Sequence, residues 1–349
     1  MNIHVTELQP GDRLEKDIFN DHGILILSAN AVLNRQDIDR LEFLRVDYVD
    51  ILPRTSSDHD PFQDVAKREI SQQLHDDFGD AVQTIRGMFE QVRAEGKLDG
   101  VEVEQTLNPL IEHFKQEQDV VNLLLSLNSK DDYTYQHSVQ VGMISYYLAK
   151  WAGFREKEAY LVGKCGYLHD IGKSLISEDI LLKPSKLTQE EFEEVKKHTL
   201  HGYEILSHSF REKELALVAL EHHERLNGSG YPRRLAGTAI HPYSRIVAVA
   251  DVYSAMISTR VYQEKRDLLA VLKELHRLSF EELDPYYVQV FIKHMIPNFI
   301  GKRLRLTTGE VGIIVMINNS DFFRPLIRLE NRFIDLSAEM QYEVANVYV

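Results

Sequence analysis

Between residues 129 and 298 the chain reads as successive amphipathic helices. At seven places an imidazole or a carboxylate stands where the helical period calls for an apolar side chain. An unpaired charge in such a setting is costly, so the fold has to bring these groups to one another or to a cation. In HSVQVGMISYYLAKWAG, Val141, Ile144, Leu148 and Trp151 recur at helical spacing, His137 lies one turn before Val141 on the same side, and Gly153 is a helix stop. The next helix, about 155 to 170, delivers His169 and Asp170 at its C-terminal end. In KLTQEEFEEVKKHTLHGYEIL, Thr188 and Glu191 form a T-x-x-E capping box, and Phe192, Val195, His198, Gly202 and Ile205 fall on or near one stripe. In ELALVALEHHERLNGSGYP, Val218 and Ala219 direct His222 and His223 inward one turn later, and Gly228, Gly230 and Pro232 tighten the loop that follows. In RIVAVADVYSAM, Asp251 falls one turn after Val247.

Singly, each residue has a plain structural explanation, a hydrogen-bonded core histidine or a turn glycine. Together they are five imidazoles and two carboxylates on five helices, and separate burial would need a separate hydrogen-bond solution for each. A metal site accounts for all seven. Imidazole and carboxylate without thiolate suit iron or manganese and leave zinc, nickel and cobalt open.

The rest of the composition narrows the setting. A net charge of -14 argues against DNA or RNA as a partner, and an anionic substrate would need a local cation. The single cysteine, Cys165, excludes an internal disulfide and is typical of a reducing compartment. MNIHVTELQPGDRL lacks the basic start and apolar block of a signal peptide, and no window reaches the roughly 18 apolar residues of a membrane span, so the expected location is cytoplasmic.

The expected fold is mainly α, a helical bundle core with a small N-terminal α+β unit and a short C-terminal β tail. Residues 1–54 read as the α+β unit, with a turn at Gln9-Pro10-Gly11, a strand in GILIL, a helix in NRQDIDRLEFL and an extended DYVDIL. Residues 55–128 read as a linker, centred on PRTSSDHDP, and a helical region broken near Gly96 and at Asn108-Pro109. Residues 129–298 carry the chemistry. Residues 299–349 read as a β-rich tail, from RLRLTTGEVGIIVMI onward.

The seven residues and their surroundings resemble the HD-GYP branch of the HD superfamily of metal-dependent phosphohydrolases. The resemblance covers about 129 to 270 and rests on HS at 137, LHDIGK at 168 to 173, KPSKLTQEE at 183 to 191, H-x-x-x-G at 198 to 202, HHERLNGSGYP at 222 to 232 and RIVAVAD at 245 to 251. It implies an HD-type helical core and two divalent metal ions, iron or manganese. His137, His169, Asp170 and Asp251 would hold one ion, and Asp170 would bridge to a second held by His198, His222 and His223. It implies hydrolysis of cyclic di-GMP to pGpG and onward to GMP by a hydroxide bridging the two ions, which lower the pKa of the water it comes from. Asp170 and Lys173 are then the catalytic residues, and Lys173, Arg260, Gly230 and Tyr231 the substrate contacts. The small N-terminal unit resembles one often placed ahead of such cores, where a regulatory role is expected. A homodimer, or a signalling partner held through the GYP loop or the N-terminal unit, is the expected macromolecular contact.

The chain departs from the branch in several places. Tyr133 stands where three-metal members carry a carboxylate, which implies two ions here. Ser254, Val261 and Gln263 replace an Asp, a Pro and a Lys, changes expected to touch the substrate side. Two alternatives stand beside the phosphodiesterase: a receptor that binds cyclic di-GMP without cleaving it, and a hydrolase of another cyclic dinucleotide or a nucleotide phosphate ester.

Overall fold

The computed structural model describes residues 2–9, 11–19, 25–27, 31–34, 37–38, 41, 46, 48–52, 61–98, 100–114, 133–258, 268–318, 321–330 and 332–348. The expected linker and Arg260, Val261 and Gln263 lie outside them, and Tyr133 is described only in its backbone. The chain divides into two compact units, residues 1–68 and 69–347.

In the first unit, strand β1 (Asn2–His4) pairs antiparallel with β4 (Tyr48–Asp50), and β2 (Ile18–Phe19) with β3 (Leu25–Leu27). A small core of Ile3, Val5, Leu8, Leu14, Leu33, Ile38, Leu41, Val49 and Ile51 holds it together. Gly11 has φ 105°, a left-handed value that suits the glycine of the expected turn.

The second unit is helical until its last strands. Helix α1 (Pro61–Glu95) ends at Gly96, whose φ of 71° caps it, and α2 (Gly100–Phe114) follows. The expected break at Asn108-Pro109 is absent, because α2 runs through it. Leu107, Leu110 and Ile111 are buried while Gln105, Asn108 and Pro109 face outward, so packing holds the helix and the carbonyl freed by proline faces solvent.

Helix α3 (Tyr133–Trp151) stops at Gly153, where Phe154 N–H donates to the Ala149 carbonyl. It packs along α4 (Glu156–Leu168), and the two approach so closely that a Cβ on Gly142 would lie 3.0 Å from that of Tyr167. After a 3-10 turn over Ile171–Leu175 come α5 (Glu178–Leu181), α6 (Gln189–Lys196), α7 (His198–Ser209), α8 (Lys213–Glu221) and α9 (Pro242–Ser258). Then α10 (Leu268–Leu278) and α11 (Pro285–Met295) close the bundle. The Thr188 capping box forms, with Glu191 N–H donating to Thr188 Oγ1 at 3.2 Å and Thr188 N–H to Glu191 Oε2 at 2.7 Å.

The C-terminal strands β5 (Arg303–Leu306), β6 (Val311–Met316), β7 (Leu326–Leu329), β8 (Arg332–Asp335) and β9 (Val344–Tyr348) form one sheet in the order β8-β7-β6-β5-β9. Alternate residues such as Leu304, Leu306, Ile314, Ile327 and Ile334 point inward and join the core of the bundle. Among the described residues no helix is long and apolar enough to cross a membrane.

Candidate metal centre

Six helices and turns converge at one buried point. His137 comes from the first turn of α3, His169 caps α4, Asp170 opens the 3-10 turn, His198 starts α7, His222 and His223 follow α8, and Asp251 sits within α9. All but His223 are less than a tenth exposed. Their donor atoms fall into two groups, each with all atoms within 4.8 Å of one another: Asp170, His198, His222 and His223 in one, His137, His169 and Asp251 in the other.

The carboxylates lie between the groups. Asp170 Oδ1 is 3.4 Å from His198 Nε2 and 3.7 Å from His222 Nε2, while Oδ2 is 3.3 Å from His169 Nε2. Asp251 spans them too, with Oδ1 3.0 Å from His137 Nε2 and Oδ2 3.8 Å from His223 Nδ1. Asp251 therefore shares the linking position that the resemblance assigns to Asp170 alone.

The hydrogen bonds aim the rings. His169, His198 and His222 each point Nδ1 at a backbone carbonyl, of Gly166 at 2.7 Å, Val195 at 2.6 Å and Val218 at 3.2 Å. A carbonyl only accepts, so Nδ1 carries the hydrogen and Nε2 turns its lone pair toward the centre. His169 Nε2 and Asp170 Oδ1 are fully buried and have no hydrogen-bond partner. Buried acceptors without a donor are what a divalent cation satisfies, so the donor set fits a metal.

The electrostatics agree. Burial opposes charge on Asp170, but His169 and Lys173 outweigh it and hold the carboxyl well below its ordinary range. Burial likewise opposes charge on Asp251, and the His137 hydrogen bond with the neighbouring imidazoles prevails. Burial pushes His198 down to about 4 against the pull of Asp170. It pushes His222 and His223 well below the usual imidazole range, helped by the imidazoles beside them. For His169, burial is overcome by Asp170 and Asp251, which raise it. Anionic carboxylates among mostly neutral imidazoles are the state in which these side chains bind metal.

Lys173 Nζ lies 2.5 Å from Asp170 Oδ2, so the cation stands at the centre's edge. The Tyr231 ring packs on His223 with centroids 4.7 Å apart. Gly230 lets the loop come this near, since a Cβ there would lie 2.5 Å from Arg225 N. Phe192 is not on a buried stripe: the helix breaks at Lys197, α6 buries no residue, and Phe192 stands 41% exposed, its ring 6.5 Å from that of Tyr231. Ser254 is not on the substrate side either. It is fully buried behind His137, with Oγ 3.0 Å from Nδ1.

Two further buried carboxylates are not singled out by the sequence pattern. Buried Glu221 pairs with Arg233 and accepts from His241 N–H at 2.9 Å and Ser244 Oγ at 3.0 Å, and buried Glu224 accepts from the Arg233 and Leu235 N–H groups at 2.7 and 2.9 Å. They flank His222 and His223 and tie the loop after Tyr231 to both neighbouring helices. Their signal was present, since Glu221 follows Val218 by three residues on the buried face of α8.

Residues 123–286 match the family described as HD domain. Residues 123–286 are an HD domain. A cyclic di-GMP phosphodiesterase of Pseudomonas aeruginosa is 29% identical over 243 residues, 69% of this chain and 58% of that protein. Another, of Thermotoga maritima, is 40% identical over 190 residues, 52% of this chain and 51% of that protein. A 3'3'-cGAMP-specific phosphodiesterase of Vibrio cholerae is 37% identical over 172 residues, 48% of this chain and 39% of that protein. The chain spans about half the length of the curated relatives it matches. The HD domain holds all seven converging residues, and the relatives overlap it with phosphodiesterase chemistry in their names.

Proposed function

We propose that the chain is a metal-dependent phosphodiesterase of the cytoplasm that opens cyclic di-GMP to pGpG and takes it onward to GMP. The observation that carries this is the pair of donor groups joined by Asp170 and Asp251, with His169 Nε2 and Asp170 Oδ1 buried and unpartnered between them. His137, His169 and Asp251 would hold one divalent ion and His198, His222 and His223 the other, with Asp170 between them, iron or manganese being the ions such ligands suit. Such ions supply a water of lowered pKa and positive charge beside phosphorus.

The remaining work falls to side chains. Lys173, held by Asp170, places a fixed positive charge where a phosphoryl oxygen would lie. Burial pushes the Tyr231 phenol up, with Asp170 and Asp251 adding to the shift, so its hydroxyl stays protonated and can donate to the ester. Gly230 brings that tyrosine close, and Arg260 adds a second phosphate contact. A second copy of the chain, or a signalling partner, would dock on the GYP loop or the N-terminal unit, which would then regulate the site.

The cGAMP-specific relative favours a second reading in which another cyclic dinucleotide is preferred. The test is turnover by protein purified without oxygen and loaded with iron or manganese, offered cyclic di-GMP and 3'3'-cGAMP side by side. Cyclic di-GMP should be cleaved faster, and Asp170→Asn should abolish cleavage. Tight binding without product over hours would make the protein a receptor, and product from 3'3'-cGAMP alone would establish the second reading.

A further inference from the structure

We infer that Ser254, backed by Gln140, is a positioning residue that decides which ring nitrogen of His137 carries the proton, and so sets how tightly the group of His137, His169 and Asp251 holds a cation. This rests on the metal reading above. Ser254 Oγ lies 3.0 Å from His137 Nδ1, and its hydroxyl donates to Gln140 Oε1 at 3.0 Å. All three residues are buried, Ser254 completely and Gln140 to within 1%.

A hydroxyl has one proton to give and lone pairs to accept with. With that proton on the Gln140 amide oxygen, Ser254 can offer His137 only an acceptor, so Nδ1 must carry hydrogen. The other nitrogen, Nε2, then turns its lone pair toward Asp251 Oδ1, 3.0 Å away. These two atoms can share a divalent cation in place of the hydrogen bond that otherwise joins them.

His137 differs here from its neighbours. His169, His198 and His222 take their tautomers from backbone carbonyls, which no substitution can turn into donors. His137 takes its own from a side chain whose polarity is set by a second side chain, reaching from α9 to α3. Its donor strength is therefore the adjustable one, and an unpaired Nδ1 would let the ring swing or take the other tautomer.

The experiment uses the full chain. Manganese(II) affinity is read by electron paramagnetic resonance of free and bound ion for the wild type and Ser254→Ala, with circular dichroism confirming equal folding. Long-range proton–nitrogen NMR on zinc-loaded, ring-labelled protein reads the His137 tautomer. The wild type should show two classes of site and a protonated Nδ1. Ser254→Ala should weaken one class by about 10- to 100-fold, the range seen when a ligand's outer partner is removed, and leave the other class unchanged. Two unchanged classes in Ser254→Ala, or a wild-type His137 protonated on Nε2 in the loaded protein, would overturn the inference alone. A wild type that binds no ion would overturn the metal reading and this inference with it.

Discussion

Replacing Gly172 by alanine should disable the centre without touching a single proposed ligand. Gly172 sits in the 3-10 turn just after Asp170 and faces the start of α7. A Cβ there would lie 2.5 Å from Gly202 N and 2.9 Å from the His198 carbonyl carbon, with the His198 oxygen nearer still. Real Cβ atoms keep at least 3.0 Å, so α7 has to retreat by about half an ångström on the Gly202 side and by more at the oxygen. The obstacles are backbone, so no rotamer change relieves them. Overpacking of this kind costs about 1–3 kcal/mol and should lower Tm by several degrees. The functional cost should be larger. His198 Nε2 is now 3.4 Å from Asp170 Oδ1, and carrying α7 outward pulls that ligand from the carboxylate that links the two groups. A misplacement approaching 1 Å is worth on the order of 100-fold in rate. Metal content by mass spectrometry, helical content and melting by circular dichroism, and turnover should be measured on one preparation. A Gly172→Ala protein with wild-type Tm, full metal content and full turnover would show that the turn and α7 are not packed this closely.

Metal-free protein should lose stability on acidification from about pH 6.5. His198, whose pKa falls from 6.5 to about 4 on folding, binds its proton less readily in the native state, so the unfolded chain gains as pH falls through that window. This term alone reaches about 3 kcal/mol at pH 4. His222 and His223 act in the same direction. His169 acts in the other, since its raised pKa stabilises the native state below pH 6.5 and that contribution fades as pH rises through the folded value. Three groups against one set the sign: urea midpoints of metal-free protein should drop between pH 7 and pH 5, and a flat or rising profile would contradict the burial of these rings. Cys165 is free and 1% exposed, and burial pushes its thiol up, so the native protein should resist a thiol reagent at pH 8 and react once on unfolding. Fast labelling of native protein would be incompatible with that packing.

What the sequence made legible were features carried by short-range periodicity. His137 and Val141 share a helix face because they lie one turn apart, and the Thr188 box and the Gly153 stop are local chemistry that any surroundings would leave intact. Where the spacing misleads, a neighbour distant in sequence decides the outcome. Pro109 breaks nothing because Leu107, Leu110 and Ile111 find a core to bury in. Phe192 has the right spacing to share a stripe with His198, yet Lys197 separates two helices and turns the aromatic ring toward Tyr231 and Lys196 instead.

Ser254 shows the same limit at the site itself. Its place three residues after Asp251 puts it near the ligands, but a linear pattern cannot say whether it stands in front of them or behind. Only the crossing of α9 on α3, which sets Gln140 and His137 against it, assigns it to the rear. Glu221 and Glu224 are the counterpart on the other wall, where a carboxylate on a buried stripe turned out to hold a loop in place. Spacing therefore identifies which polar residues must be buried together. It leaves open which of them face a cation and which orient those that do, and that division follows from hydrogen-bond capacity: His169 Nε2 and Asp170 Oδ1 stay unsatisfied at the centre, whereas Ser254, Glu221 and Glu224 bond to neighbouring chain.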